Sequence, residues 1–217
     1  MTFADFIDFF LHAERHLEWF IQNYNIWIYA LLFAIIFCET GLIVTPFLPG
    51  DSLLFAVGAI AGKGLIQAEI IVPLLLVAAI AGDAVNYAIG KWTGPKVFHY
   101  ESSRFFNKDH LLKAHAFYEK YGGRAIILAR FVPIVRTFAP FVAGVGSMTY
   151  SKFALYNVTG AILWIGIFLG GGFYFGGLEV VQKNMKLVIL GIIIVSVMPI
   201  AWEVGKAWLE KRRAQAG

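Results

Sequence analysis

The sequence predicts an all-α integral membrane protein. Its expected architecture is an inverted repeat of two re-entrant helical hairpins with about four transmembrane spans, preceded by an amphipathic surface helix. Three observations lead there. The first is composition: 59% of the 217 residues are hydrophobic and 15% are charged. A soluble domain is about 45–50% apolar and about 25% charged, so too little polar surface exists here to clothe a globule in water. The second is a set of long apolar runs interrupted by proline and glycine. The third is that acids and arginines fall inside those runs rather than between them.

The chain reads as a single membrane domain. In 1–24, Phe3, Phe6, Phe10, Ala13, Leu17 and Phe20 recur at helical spacing, with Asp5, Asp8, His12 and Arg15 mostly between them. That pattern fits a helix lying on the membrane surface; a soluble cap on the bundle is the alternative. Asp5, Asp8, Glu14 and Glu18 are unlike the basic start of a cleaved signal peptide, so the first long apolar run is expected to act as an uncleaved insertion signal. Cys38 is the one cysteine, which excludes an intrachain disulfide and leaves the redox compartment open.

The first repeat covers 26–90. An apolar run from Ile26 to Val44 is just long enough to cross, but Glu39 interrupts it, and Pro46 and Pro49-Gly50 break it. Leu53 to Ala61 is then too short to span. Broken backbone beside a half-length run predicts a re-entrant hairpin, which survives at depth only where protein or water surrounds it. A full span from about Ile70 to Gly90 follows. The second repeat, 125–176, has the same order. Ala125 to Met148 is apolar but carries Arg130, Pro133, Arg136 and Pro140, and Phe153 to Phe175 is a glycine-rich span. Gly82-Asp83-Ala84-Val85-Asn86-Tyr87 loosely echoes Gly160-Ala161-Ile162-Leu163-Trp164. A last span is expected in 187–208 and a basic tail in 209–217.

The formal charge is +4, and its distribution orients the chain. The linker 91–124 and the tail hold most of the lysines and arginines, so both are expected in the cytoplasm. Lys63 and the Glu179–Lys186 turn are then outside, Lys152 is inside, and both termini are cytoplasmic. The first hairpin would enter from outside and the second from inside. Inverted repeats of this kind build transporter sites near the bilayer midplane.

Four charges lie in or beside the broken segments: Glu39, Asp51, Arg130 and Arg136. Each costs about 2.5–3.5 kcal/mol at a helix centre even on the mildest scale. They must pair, bind water or bind substrate. Two structural ion pairs are one reading, since the four sum to zero, and Asp51 could also N-cap a helix starting near Leu53. The other reading is functional. Arginine stays charged and forks two hydrogen bonds onto phosphate or carboxylate, while a carboxylate in low dielectric can exchange protons near neutral pH. Two arginines beside two such acids suit a proton-linked carrier of an anion. Asp83 is a weaker third candidate for proton coupling; with Asn86 one turn on, an interhelical hydrogen bond explains it equally well.

Other signals are poorer. His12 and His16 share a helical face without a third ligand, so no metal site is expected. Gly58/Gly62, Gly90/Gly94, Gly166/Gly170 and Gly172/Gly176 have small-xxx-small spacing, which fits internal close packing or, less well, a homodimer face. No phosphate-binding glycine loop, nucleophile elbow or metal-ligand cluster occurs, so no catalytic class, cofactor or nucleic-acid partner is expected.

Four stretches together resemble the DedA family of bacterial inner-membrane proteins over nearly the whole chain. They are Phe37-Cys38-Glu39-Thr40-Gly41, Pro46-Phe47-Leu48-Pro49-Gly50-Asp51-Ser52, Gly82-Asp83-Ala84-Val85-Asn86-Tyr87 and Ala129-Arg130-Phe131-Val132-Pro133-Ile134-Val135-Arg136-Thr137-Phe138-Ala139-Pro140. Ala129 is a departure, since many members have glycine there. The resemblance implies a multi-pass protein of the inner (cytoplasmic) membrane. It implies a flippase that returns undecaprenyl phosphate, or a related phospholipid, to the cytoplasmic leaflet with dependence on the proton motive force. Distant relatives, the VTT-domain proteins, resemble lipid scramblases. By matching position the family's essential acids fall on Glu39 and Asp51 and its essential arginines on Arg130 and Arg136, with the arginines as phosphate-binding residues. Two rival expectations remain: a proton-coupled exchanger of small ions or solutes, and a non-transporting membrane assembly factor. A lateral cleft reaching the arginines would favour a lipid, a water-filled vestibule a solute, and a sealed ion-pair core the assembly factor.

Overall fold

The structure is a computed structural model. It describes residues 26–42, 50–93, 122–146, 148–184, 187–192 and 194, with only the backbone at 133 and 134. The expected surface helix in 1–24, with His12 and His16, lies outside the described residues. So do most of the basic linker, the Pro46–Pro49 break, the greater part of the last span and the tail.

Every regular element among the described residues is helical: α1 Trp27–Gly41, α2 Gly50–Gly62, α3 Ala68–Thr93, α4 Ala125–Ala129, α5 Pro133–Val145, α6 Tyr150–Phe175 and α7 Glu179–Lys183. A 3₁₀ turn at Gly122–Arg124 leads into α4. Among the described residues, only α3 and α6, 26 residues each, are long and apolar enough to cross a membrane. At 1.5 Å per residue each is about 39 Å long, against a hydrocarbon core of about 30 Å. α1, with 15 residues, reaches only about 22 Å.

The side chains are distributed inside out. Large apolar residues face outward, among them Val77, Val85 and Trp92 on α3 and Leu155, Ile162, Ile167 and Tyr174 on α6. Glu39, Asp51, Asp83, Asn86, Arg130, Arg136 and Asn157 are all buried. A helix that is apolar on its outer face and polar only where it meets its neighbours has lipid as its solvent.

The helices form two units. In the first, α1 and α3 run the same way. The Gln67 N–H donates to Tyr29 Oη near the start of both, and a Cβ on Gly41 would lie 3.2 Å from Gly82 Cα near the middle of α3. α2 starts beside Glu39 and runs back to a turn in which Gly64 takes φ +75°, a conformation that costs glycine nothing. α1 and α2 therefore make a hairpin whose tip is level with the middle of α3. In the second unit, α4 and α6 likewise run together: Gly123 meets Tyr156, and Gly160 meets Ile127. The chain breaks at Arg130–Val132, because proline at 133 disfavours helix in the residue before it and starts a new helix readily. Pro140, by contrast, sits inside α5 without ending it.

The second helix of each hairpin packs on the long helix of the other unit. α2 lies along α6, with Gly58 against Leu169 and Phe173 and Gly172 against Phe55; a Cβ on either would come within 2.0 Å of backbone. α5 lies along α3, with Gly90 against Phe141 and Gly144 against Tyr87. α5 and α3 run the same way, so the second hairpin opens toward the end of α3 and the first toward its start. The small-residue spacings thus serve internal packing at Gly58/Gly62 and Gly172/Gly176. Gly166 and Gly170 have nothing within 4 Å among the described residues, so the spacing does not serve internal packing there. Gly94 lies outside the described residues.

Candidate functional site

The two hairpin tips meet at the middle of α3, and all five sequence-selected residues converge there. Arg136, in the first turn of α5, reaches across to the other unit. Its Nη1 donates to Glu39 Oε1 at 2.8 Å and its Nη2 to Asp51 Oδ1 at 2.6 Å. Glu39 lies in the last turn of α1 and Asp51 in the first turn of α2. One guanidinium therefore ties three helices together. Because α2 begins at Gly50, Asp51 stands inside its first turn rather than at the N-cap position the sequence allowed. Gly50 leaves room for this carboxylate: a Cβ would come within 2.0 Å of Glu39 Oε2, so a larger residue would push Glu39 from its place.

The pairing of Arg130 corrects an expectation. The sequence matched both arginines with Glu39 and Asp51. In the structure, Arg130 Nη2 instead donates to Asp83 Oδ2 on α3 at 2.6 Å and to Asn157 Oδ1 on α6 at 2.5 Å. Asn157 is held by its own Nδ2, which donates to the Ile80 carbonyl at 3.0 Å, and this fixes which end of the amide faces the arginine. Asn86 makes the interhelical bonds expected of that position: its Nδ2 donates to the carbonyls of Thr40 and Thr137.

Trp164 joins the two nodes. Its Nε1 donates to Asp51 Oδ1 at 2.8 Å, and its ring centroid lies 4.8 Å from the Arg136 guanidinium carbon and 5.8 Å from that of Arg130. A cation over an indole face is attracted by the ring quadrupole, more strongly when desolvated. Sequence reasoning missed both Trp164 and Asn157. Asn157 carried a signal, a carboxamide in an otherwise apolar span; Trp164 carried only its place in the weak echo of the first unit.

The site is sealed and over-supplied with acid. Each of the five charged residues is at most 5% exposed. Two guanidiniums face three carboxylates, so the fully ionised cluster carries −1. Several buried polar atoms have no hydrogen-bond partner among the described residues: Arg130 Nε and Nη1, Arg136 Nε, Asp83 Oδ1 and Asn86 Oδ1. No group of three or more His, Cys, Asp or Glu among the described residues could hold a metal ion.

Comparison with known proteins fits this picture. Residues 48–174 match the VTT domain, a stretch holding Asp51, Asp83, Arg130, Arg136 and Trp164 and starting after Glu39. Protein DedA of Escherichia coli strain K12 is 56% identical over 195 residues, covering 89% of each chain. The chain belongs to the DedA family. Other relatives bear names that describe membrane proteins. An uncharacterized membrane protein of Mycobacterium leprae is 44% identical over 166 residues, 76% of this chain and 74% of its own. Inner membrane protein YqjA of E. coli K12 is 34% identical over 156 residues, 72% and 71% of the two chains. No solved structure matches. This DedA-family chain is therefore a membrane protein with a buried ionic centre.

The Trp164 bond gives a direct test of how the centre is held. Trp164→Phe keeps the ring over Arg136 but removes the donor to Asp51. Loss of a hydrogen bond to a charged group costs about 1.5–3 kcal/mol. Purified Trp164→Phe should unfold at a clearly lower temperature in detergent than the parent; an unchanged midpoint would mean the indole N–H contributes nothing.

Proposed function

We propose that this protein is a proton-linked transporter of an anionic membrane lipid, returning undecaprenyl phosphate or a related lipid phosphate to the cytoplasmic leaflet of the inner membrane. One observation carries the proposal: each buried arginine of the second unit is held by one or two acids of the first, so every buried ion pair among the described residues crosses between the two units. An intramembrane charge is functional by default, and hairpin tips tied to one another by exchangeable charges are ones that protons and an anion can part. Protons arriving from outside neutralise Glu39 and Asp51 and loosen their hold on Arg136. The tips part, the lipid phosphate takes the place of the carboxylates against the arginines, and the isoprenoid tail stays in the bilayer through a lateral opening. Asp83 is a secondary proton site. The partners are the lipid and protons, with a homodimer open.

The finer architecture belongs to the same proposal. α1–α2 and α4–α5 are re-entrant hairpins entering from opposite sides, α3 and α6 are complete spans, and 187–208 completes a third; the first apolar run, expected to cross, is the first arm of the α1–α2 hairpin. The C-terminus faces the cytoplasm; with Lys63 outside, α1 begins outside as well, beside Gln67, so the cytoplasmic N-terminus expected from the sequence does not follow from the helix directions. Support comes from the hairpin tips standing level with the middle of a helix longer than the bilayer core is thick. Cysteines replacing the exposed Lys63 and Lys152 should then label from opposite sides of oriented vesicles, Lys63→Cys from outside. Labelling of both from one side contradicts the inverted arrangement.

A second reading has one observation in its favour. The ionic centre is sealed, and a non-transporting assembly factor needs no opening. Flipping of a fluorescent lipid phosphate in proteoliposomes separates the two, because an assembly factor moves no lipid. In the same assay Arg136→Lys should lose about ten- to a hundredfold, since an ammonium cannot form the planar fork and one charge-assisted bond is worth about 1.5–3 kcal/mol. Glu39→Gln resembles the protonated acid; lipid-phosphate binding should persist or tighten while flipping driven by a pH gradient falls. Full transport by Arg136→Lys would rule out the fork.

A further inference from the structure

The two arginines are not equivalent. Arg136 spends both Nη groups, each on a separate carboxylate. One guanidinium between two acids is a locally negative node when both are ionised, and such a node repels an incoming anion. Arg130 engages only Nη2, on one carboxylate and one neutral amide, with a further long contact to the Ala79 carbonyl at 3.4 Å. Its Nε and Nη1 have no partner among the described residues, and the side chain is 1% exposed; each forks onto an anion only together with Nη2, the nitrogen that Asp83 and Asn157 hold. Leaving such donors unpaired in the interior costs free energy that a bound anion recovers.

We propose that the arginines divide the work: Arg130 is the phosphate acceptor, and Arg136 is the latch that holds the hairpin tips together. This rests on the lipid-phosphate reading and assigns its parts. The charges facing Arg130 are Asp83 from α3 and, beyond Trp164, the Arg136 node with Glu39 from α1 and Asp51 from α2. α6 contributes no charge, only Asn157 and Trp164. Asp83 is then the internal competitor for the acceptor. Asn157 is what keeps that acceptor from being fully neutralised: an acid at 157 would give Arg130 the same two-carboxylate environment as Arg136. The ligand class is a phosphate monoester, presented as a lipid headgroup or as the free ion.

The test is equilibrium binding of a radiolabelled short-chain isoprenyl phosphate to full-length protein in detergent, with inorganic phosphate as a second probe. Asn157→Asp should weaken binding about tenfold or more. Asp83→Asn should tighten it, a gain that misfolding cannot produce, and by more than Glu39→Gln does. Arg130→Lys should lose more affinity than Arg136→Lys. The same ranking with inorganic phosphate supports recognition of the headgroup alone, and the ranking with the lipid only supports recognition of headgroup and chain together. Equal or greater loss in Arg136→Lys, or no change in Asn157→Asp and Asp83→Asn, would overturn the division while leaving the lipid-phosphate reading standing. No binding by the parent protein would remove both.

Discussion

The fold depends on one guanidinium. Arg136 binds Glu39 at the end of α1 and Asp51 at the start of α2, and no other described ion pair joins the two hairpin tips. Removing one partner of a buried pair costs about 3–5 kcal/mol, because the other charge is left unpaired in low dielectric. That asymmetry makes the contact obligatory without making it permanent. On the proposed mechanism, protons on Glu39 and Asp51 remove the attraction but leave Arg136 charged, so the junction opens only where an anion or water takes the place of the carboxylates.

The glycines make this contact reachable. Charged side chains at the tips of two half-length hairpins meet only if each hairpin packs backbone to backbone on the opposite long helix. Gly58 and Gly172 do this between α2 and α6, and Gly90 and Gly144 between α3 and α5. Small residues are the usual means of close approach in a membrane, where no hydrophobic drive presses helices together. Gly41 and Gly82 bring α1 against α3 in the same way, which sets Glu39 and Asp83 at one depth. Apolar packing thus supplies the scaffold, and the ionic centre is the polar contact that this packing brings together.

Much of the site was legible in the sequence because charge inside an apolar run is costly and therefore conspicuous. Glu39, Asp51, Arg130 and Arg136 could be isolated on that ground, and the breaks before Asp51 and at Pro133 marked where hairpin tips fall. Partner choice was not legible. Asp83 sits in a clean span, and its depth relative to Arg130 depends on how α3 crosses the second hairpin. Asn157 and Trp164 depend likewise on the rotation of α6, which no periodicity revealed because that helix is apolar on nearly every face. Glycine spacing showed the same limit: the pairs at Gly58 and Gly172 pack inward, whereas Gly166 and Gly170, with identical spacing, have nothing within 4 Å among the described residues.

The central claim is that Arg136 and Glu39 hold one another across the junction. A double-mutant cycle tests it most directly. Unfolding free energies in detergent are compared for the parent, Glu39→Gln, Arg136→Gln and the double variant. A direct buried pair predicts that the double variant is less destabilised than the sum of the single variants, by a coupling of about 1–3 kcal/mol. Additive effects, within about 0.5 kcal/mol, would contradict it and leave the two residues without a shared bond.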